Sequence, residues 1–205
     1  MEAVIEQLLE RPDFPVLAKQ ISRLAETEES KRAQFLRELT PEMKAEFILG
    51  QVVMHSPAKA RHLVVTRKVF TAIVNYCDAS GNGETFSEKC LISLTRNDFE
   101  PDIVWFSPAK AATITPDMMR FPAPDFIVEV LSPSTEAIDR GVKMIDYAAH
   151  GVGEYWIIDP EKQSVECYQL TEGQSEYSLR TEHHVTGTAS PLCLPEVQID
   201  LSKLF

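Results

Sequence analysis

Pro124-Asp125-Phe126-Ile127-Val128-Glu129-Val130-Leu131-Ser132-Pro133 is a short apolar run with a single carboxylate in its middle. Strand side chains alternate between faces, so Ile127, Glu129 and Leu131 share one face and Phe126, Val128 and Val130 the other. Both faces are apolar, which predicts a central strand buried on two sides. An ionised glutamate there costs several kcal/mol unless something compensates it. A second strand-like run, Pro101-Asp102-Ile103-Val104-Trp105-Phe106, opens with another carboxylate. If the two strands are neighbours, Asp102 and Glu129 face one point. A divalent cation offsets both charges, and the backbone carbonyl of Val130 beside Glu129 adds a third hard oxygen of the kind that Mg²⁺ or Mn²⁺ takes. Such an ion keeps several waters, so it can bind a phosphate oxygen and activate a nucleophile.

The residues around this strand predict an α/β fold. Ser132-Pro133-Ser134-Thr135 caps a helix from about Glu136 to His150, with Ile138, Val142, Ile145 and Ala149 spaced as a core face and Gly151 closing it. Asp139, Lys143 and Tyr147, four apart, form a second stripe beside it, and Lys143 can reach back to the sheet. Tyr155 to Ile158 is a further buried strand, Ser164 to Leu170 and Tyr177 to Val185 follow it, and residues 197–201 make a last packing segment. Upstream, Glu84 to Leu94 reads as strand. Gly81-Asn82-Gly83 ends a long helix opened by Ser56-Pro57, whose apolar face runs from Leu63 and Val64 to Cys77. Phe47 to Met54 folds about Gly50 as a hairpin, and Thr40-Pro41 resembles a helix start. The expected architecture is a mixed central β-sheet flanked by helices. Residues 1–40 differ: helical apolar periodicity interrupted by Pro12 and Pro15 predicts two or three short helices, an N-terminal helical extension on a domain spanning 41–205.

Composition narrows the function. The chain has 205 residues, 44% hydrophobic and 25% charged, which describes a folded globular protein. No apolar run spans a bilayer and no signal peptide is read, so a cytoplasmic location without membrane association is expected. Cys77, Cys90, Cys167 and Cys193 stand far apart and fit free thiols. Adjacent His183 and His184 would point to opposite faces of a strand, which excludes a two-histidine metal site built from that pair. The net charge of −11 would repel a polyanion, so any grip on nucleic acid has to come from a local patch, from bound cations or from a partner. The best basic cluster is Lys59, Arg61, Arg67 and Lys68, with His62 inside it.

Taken together, Glu46 to Pro57, His62, Pro101-Asp102, Pro124 to Thr135, Asp139, Lys143, Tyr147, Gly151-Val152 and Glu154 to Asp159 resemble the bacterial Uma-type restriction endonucleases of the PD-(D/E)XK nuclease superfamily. The resemblance covers about residues 41 to 200. It implies a restriction-endonuclease-like core hydrolysing DNA, expected double-stranded, with Mg²⁺ or Mn²⁺. Asp102 and Glu129 match the metal carboxylates. The superfamily's usual lysine position, two after the glutamate, is Leu131 here, and the resemblance implies that Lys143 takes its role in stabilising transition-state charge. Glu46 matches an additional acid of the site, and Lys59, Arg61 and His62 are the expected nucleic-acid contacts. The hairpin acids on either side of the glycine are replaced by Leu49 and Gln51. Related nucleases often pair, so a homodimer is expected by analogy. The acidic charge and the absent lysine keep two alternatives open, a non-catalytic binding module of the same fold and a hydrolase of a smaller phosphate substrate.

Overall fold

A computed structural model describes residues 2–205, and the side chains from residue 4 onward. The elements run α1 (Glu2–Leu9), α2 (Phe14–Glu38), β1 (Ala45–Ile48), β2 (Gln51–Met54), α3 (Ala60–Ser80), β3 (Glu84–Ser87), β4 (Leu91–Ser93), β5 (Asp98–Phe99), β6 (Ile103–Phe106), α4 (Pro108–Ala111), β7 (Arg120–Phe121) and β8 (Phe126–Val130). A helix assembled from α5 (Glu136–Ile138), a π-turn (Asp139–Lys143) and α6 (Met144–Ala149) comes next. Then follow β9 (Glu154–Asp159), β10 (Ser164–Gln169), β11 (Ser178–His184), β12 (Thr188–Ala189), β13 (Ile199–Asp200) and a 3₁₀ turn (Leu201–Lys203).

The fold is mixed α/β, as the pattern predicts, but the strands divide between two main sheets rather than one. The larger has the order β11-β10-β9-β8-β6-β3 and the smaller β2-β1-β5-β4-β7. Local chemistry explains the division. The run expected as one strand from Glu84 breaks where Glu88 and Lys89 take positive φ angles of 51° and 40°, so β3 joins β6 while β4 joins β5. Pro101, which has no N–H to give a ladder, separates β5 from β6 in the same way. The hairpin turns at Leu49 and Gly50, with φ angles of 47° and 80°. That pair of positive angles suits the twist of a two-residue loop, and the side-chain oxygen of Asn97 accepts the Leu49 N–H at 2.8 Å.

β8 is central. It pairs antiparallel with β6, Ile103 opposite Val128, and parallel with β9, Glu129 opposite Ile157. Phe126, Val128 and Val130 pack with Val65, Val69 and Ile73 of α3, while Ile127 and Leu131 pack on the other side with Tyr147 and Tyr155. Full burial of each such side chain contributes about 1.5–3 kcal/mol. The C-terminal segment closes the α3 side with Leu194, Val197, Leu201 and Leu204.

Three expected details are corrected. Thr40-Pro41 starts no helix; the chain turns there and enters β1. α3 begins at Ala60, and its buried residues are Val65, Thr66, Val69, Ile73 and Cys77, while Leu63 and Val64 are exposed. The N-terminal segment forms one short helix and one of 25 residues. Pro15 sits in the first turn of α2, where a missing N–H costs nothing. α2 meets the body through its C-terminal half, where Phe35 stacks on Phe47 at 5.8 Å and Arg32 reaches Asp98.

Candidate active site

Asp102 stands at the entry to β6. Its Oδ2 accepts the backbone N–H of Val130 at 2.8 Å, which ties it to the end of β8. In an extended strand the N–H and C=O of one residue point to the same edge. The Val130 carbonyl is therefore aimed towards the Asp102 edge as well. Glu129 projects from β8 into the other layer. Lys143 Nζ donates to Glu129 Oε1 at 2.9 Å and the Tyr147 hydroxyl to the same oxygen at 3.1 Å. Lys143 also stands 3.0 Å from Glu46 Oε1 and 3.2 Å from Asp139 Oδ1. Asp102, Glu129, Glu46 and Lys143 line one cavity of about 390 Å³, bounded by the β2–α3 loop, the N-terminus of α3 and the Ser132–Thr135 turn.

The helix face that carries Lys143 differs from expectation. Ile145 is 69% exposed and Ala149 is also exposed, whereas Asp139, Lys143 and Tyr147 are buried. The π-turn over Asp139–Lys143 adds a residue to the turn and rotates the polar stripe inward. The stripe is buried because its partner, Glu129, is a strand residue that apolar spacing along the helix cannot reveal.

The charges in this cluster do not balance. Burial pushes the Lys143 ammonium down, but Glu129, Glu46 and Asp139 outweigh it and hold its pKa well above the ordinary value. Burial also raises Glu46, yet Lys143, His55 and the Glu100 N–H bring it down to about 2. One ammonium cannot serve three buried acids equally. Burial pushes Glu129 well above its ordinary value despite Lys143, and raises Asp139 too. His62 reaches into the site from α3, its Nε2 3.2 Å from Asp102 Oδ1. Burial disfavours the imidazolium, but Asp102 more than compensates and raises the His62 pKa.

This excess of buried negative charge fits a divalent cation. Among the described residues no three His, Cys, Asp or Glu side chains converge closely enough to hold an ion by themselves. The available set is two carboxylates and one carbonyl, and Mg²⁺ accepts so sparse a set because it retains its own waters.

The remaining expected contacts lie at the mouth. Lys59 is exposed at the start of α3, and Arg61 is paired with Glu161 at 2.9 Å. Lys68 is engaged by the backbone carbonyls of Lys203 and Leu204, and so leaves the basic cluster. Three site residues escaped the sequence reading. His55 lies 3.3 Å from Glu46 Oε2, and Lys44 lines the mouth. Glu100 is the third: its N–H donates to Glu46 Oε1 at 2.8 Å and its Oε2 is buried without a hydrogen-bond partner. Its position two residues before Asp102 was the available signal.

Burial pushes Glu100 up to about 7. Its carboxyl then keeps a proton in the folded protein that the unfolded chain loses near the ordinary value of about 4.5. Between those pH values the folded state binds more protons, so this group's contribution to stability is full below about 4.5 and falls as pH rises towards 7. Glu100→Gln is expected to raise the melting temperature at pH 8 by a few degrees, on the order of 2–4 °C per kcal/mol, and to leave it unchanged at pH 4. Thermal melts at the two pH values check this.

A two-layer core that places a strand-entry aspartate, a mid-strand glutamate and a buried lysine in one cavity has the form of a nuclease-like fold. The Uma2 family profile, described as "Putative restriction endonuclease", matches residues 32–202, and the chain belongs to this family. Among solved structures, it is similar to a putative nuclease belonging to DUF820 from Anabaena variabilis ATCC 29413. The TM-score is 0.70 at 20% identity, covering 83% of this chain and 94% of that one. At that identity the likeness shows the fold alone. No curated protein matches the chain. No described helix is long and apolar enough to cross a membrane.

Proposed function

We propose that the protein is a metal-dependent endonuclease that hydrolyses DNA phosphodiester bonds. The observation that carries this reading is the Asp102–Val130 hydrogen bond, which sets Asp102 and the Val130 carbonyl against the strand that presents Glu129 to Lys143. Asp102, Glu129 and the Val130 carbonyl would hold Mg²⁺ or Mn²⁺. The ion, when bound, supplies Lewis acidity at a phosphoryl oxygen and a nucleophilic water at neutral pH. Lys143 stays charged and is placed to stabilise the negative charge that develops on the phosphorus oxygens. Glu46, held ionised, orients Lys143. His62 fixes the Asp102 carboxylate on the side away from Val130. A homodimer, expected by analogy with related nucleases, belongs to the same proposal and is tested by light scattering.

With Mn²⁺ the purified protein should nick plasmid DNA, and Asp102→Ala or Glu129→Ala should reduce the rate by about 10²–10³-fold, the scale of lost electrostatic stabilisation. If both variants cut like the parent, the site assignment is wrong. The engagement of Lys143 by three carboxylates favours a second reading, a closed and non-catalytic site that keeps the fold for binding. Calorimetric titration with Mn²⁺ separates the two: heat that disappears in Asp102→Ala weighs against the closed site.

A further inference from the structure

The shape and lining of the cavity bear on the form of the DNA. The acids lie at its base, with Glu46, Glu129 and Asp102 only 2%, 3% and 8% exposed. Its volume of about 390 Å³ is far more than one phosphate group fills and falls within the range of pockets that take a whole small molecule. Much of its wall is apolar: Met54, Pro57, Ala58, Leu131, Pro133 and Ile138. A duplex offers the opposite surface, with phosphates and sugars outside and base faces stacked within. An apolar recess beside buried acids suits a base that has left the stack.

The charges agree. The lining cations other than buried Lys143 are Lys44, Lys59 and Arg61, and Arg61 is shared with Glu161. A duplex footprint commonly neutralises about 6–10 phosphates. Three mouth cations on a chain of net charge −11 match a short length of strand. His55 and His62 line the same wall, each ring held by a carboxylate, Glu46 and Asp102 respectively.

We infer that the substrate is DNA unpaired at the cut, a single strand or a flap, with the nucleotide beside the scissile phosphate seated in this recess. The inference rests on the endonuclease reading. It deepens that reading by replacing continuous duplex with single strand.

The test uses one labelled DNA sequence as single strand, as duplex and as a duplex with a single-stranded flap, with the full-length protein and Mn²⁺. The single strand and the flap should be cut on the order of 100-fold faster than duplex, because only duplex must first extrude a paired base. Binding is read separately by fluorescence anisotropy, with Ca²⁺ in place of Mn²⁺. For single strand, log K against log salt should have a slope of about −2, from three phosphate contacts at about 0.7 each. Lys44→Ala and Lys59→Ala should each make the slope shallower by about 0.7. Equal or faster cutting of duplex, or a slope steeper than about −5, overturns the single-strand inference and leaves the endonuclease reading intact. If no form is cut with Mn²⁺ or Mg²⁺, the endonuclease reading fails and the inference falls with it.

Discussion

Replacing Lys143 by methionine should cost the folded protein roughly 3–5 kcal/mol, the scale seen when one member of a buried ion pair is removed. Lys143 is 3% exposed, and its ammonium lies within 3.2 Å of carboxylate oxygens on Glu129, Glu46 and Asp139. Methionine matches the length of the stem but leaves three buried acids facing each other without their ammonium. At about 2–4 °C per kcal/mol for a chain of this size, the melting temperature should fall by about 6–20 °C. Added Mn²⁺ should recover part of the loss, because a cation at Glu129 replaces some of the missing positive charge. Lowering the pH to 5 should recover part of it too, by protonating the acids that have lost their partner. Thermal melts in EDTA, in Mn²⁺ and at two pH values read all three effects. A variant as stable as the parent would mean that the acids are hydrated and that Lys143 contributes little to holding them together.

Arg32→Ala should have an effect of similar size from the other side of the molecule. The guanidinium meets Asp98 in a two-pronged contact at 2.6 and 2.9 Å, and it also donates to the carbonyls of Thr95 and Leu94 at 2.7 Å each. Asp98 is fully buried, and its other side-chain donor is Ser93 at 2.6 Å. Alanine would strand a buried carboxylate and free two carbonyls. A loss of about 3–5 kcal/mol follows, and lysine should restore little of it, since a single ammonium cannot reproduce the planar fork. The effect should extend to the layer that carries Lys143. Asp98 shares β5 with Phe99, whose ring packs against Tyr147 at 5.3 Å and lies under Lys143 at 5.8 Å. Urea unfolding of Arg32→Ala, Arg32→Lys and the double variant Arg32→Ala/Asp98→Asn measures the pair. The double variant should be more stable than Arg32→Ala alone, because the stranded charge is gone.

Asp139, Lys143 and Tyr147 show where local reading stops. Apolar spacing along residues 136–150 places Ile145 and Ala149 inward, but the π-turn and the demand of Glu129 for a counter-charge turn the polar stripe inward instead. That demand originates on a strand fourteen residues earlier. Glu100 and His55 escaped for the same reason: each is an ordinary strand-end residue until its strand pairs with β1, β5 for Glu100 and β2 for His55, and brings it against Glu46. The split of Glu84 to Leu94 into two sheets was hidden because Glu88 and Lys89, unlike glycine, carry no sequence signal for positive φ.

By itself the sequence determined the central strand and the face of it on which Glu129 lies, while the pairing that brings the Asp102 strand beside it is tertiary. The first two follow from period-2 burial within short runs whose apolar residues are contiguous in the chain. Membership of the nuclease-like family was also legible, because the matching residues recur in order along most of the chain. Only the tertiary structure decided where Lys143 points, how many acids it must serve, and that the site opens into an apolar recess rather than a flat basic surface. Those properties depend on which distant side chains share a low-dielectric volume. In such a volume one charge is felt by every neighbour at once, so no spacing within a single element records the outcome.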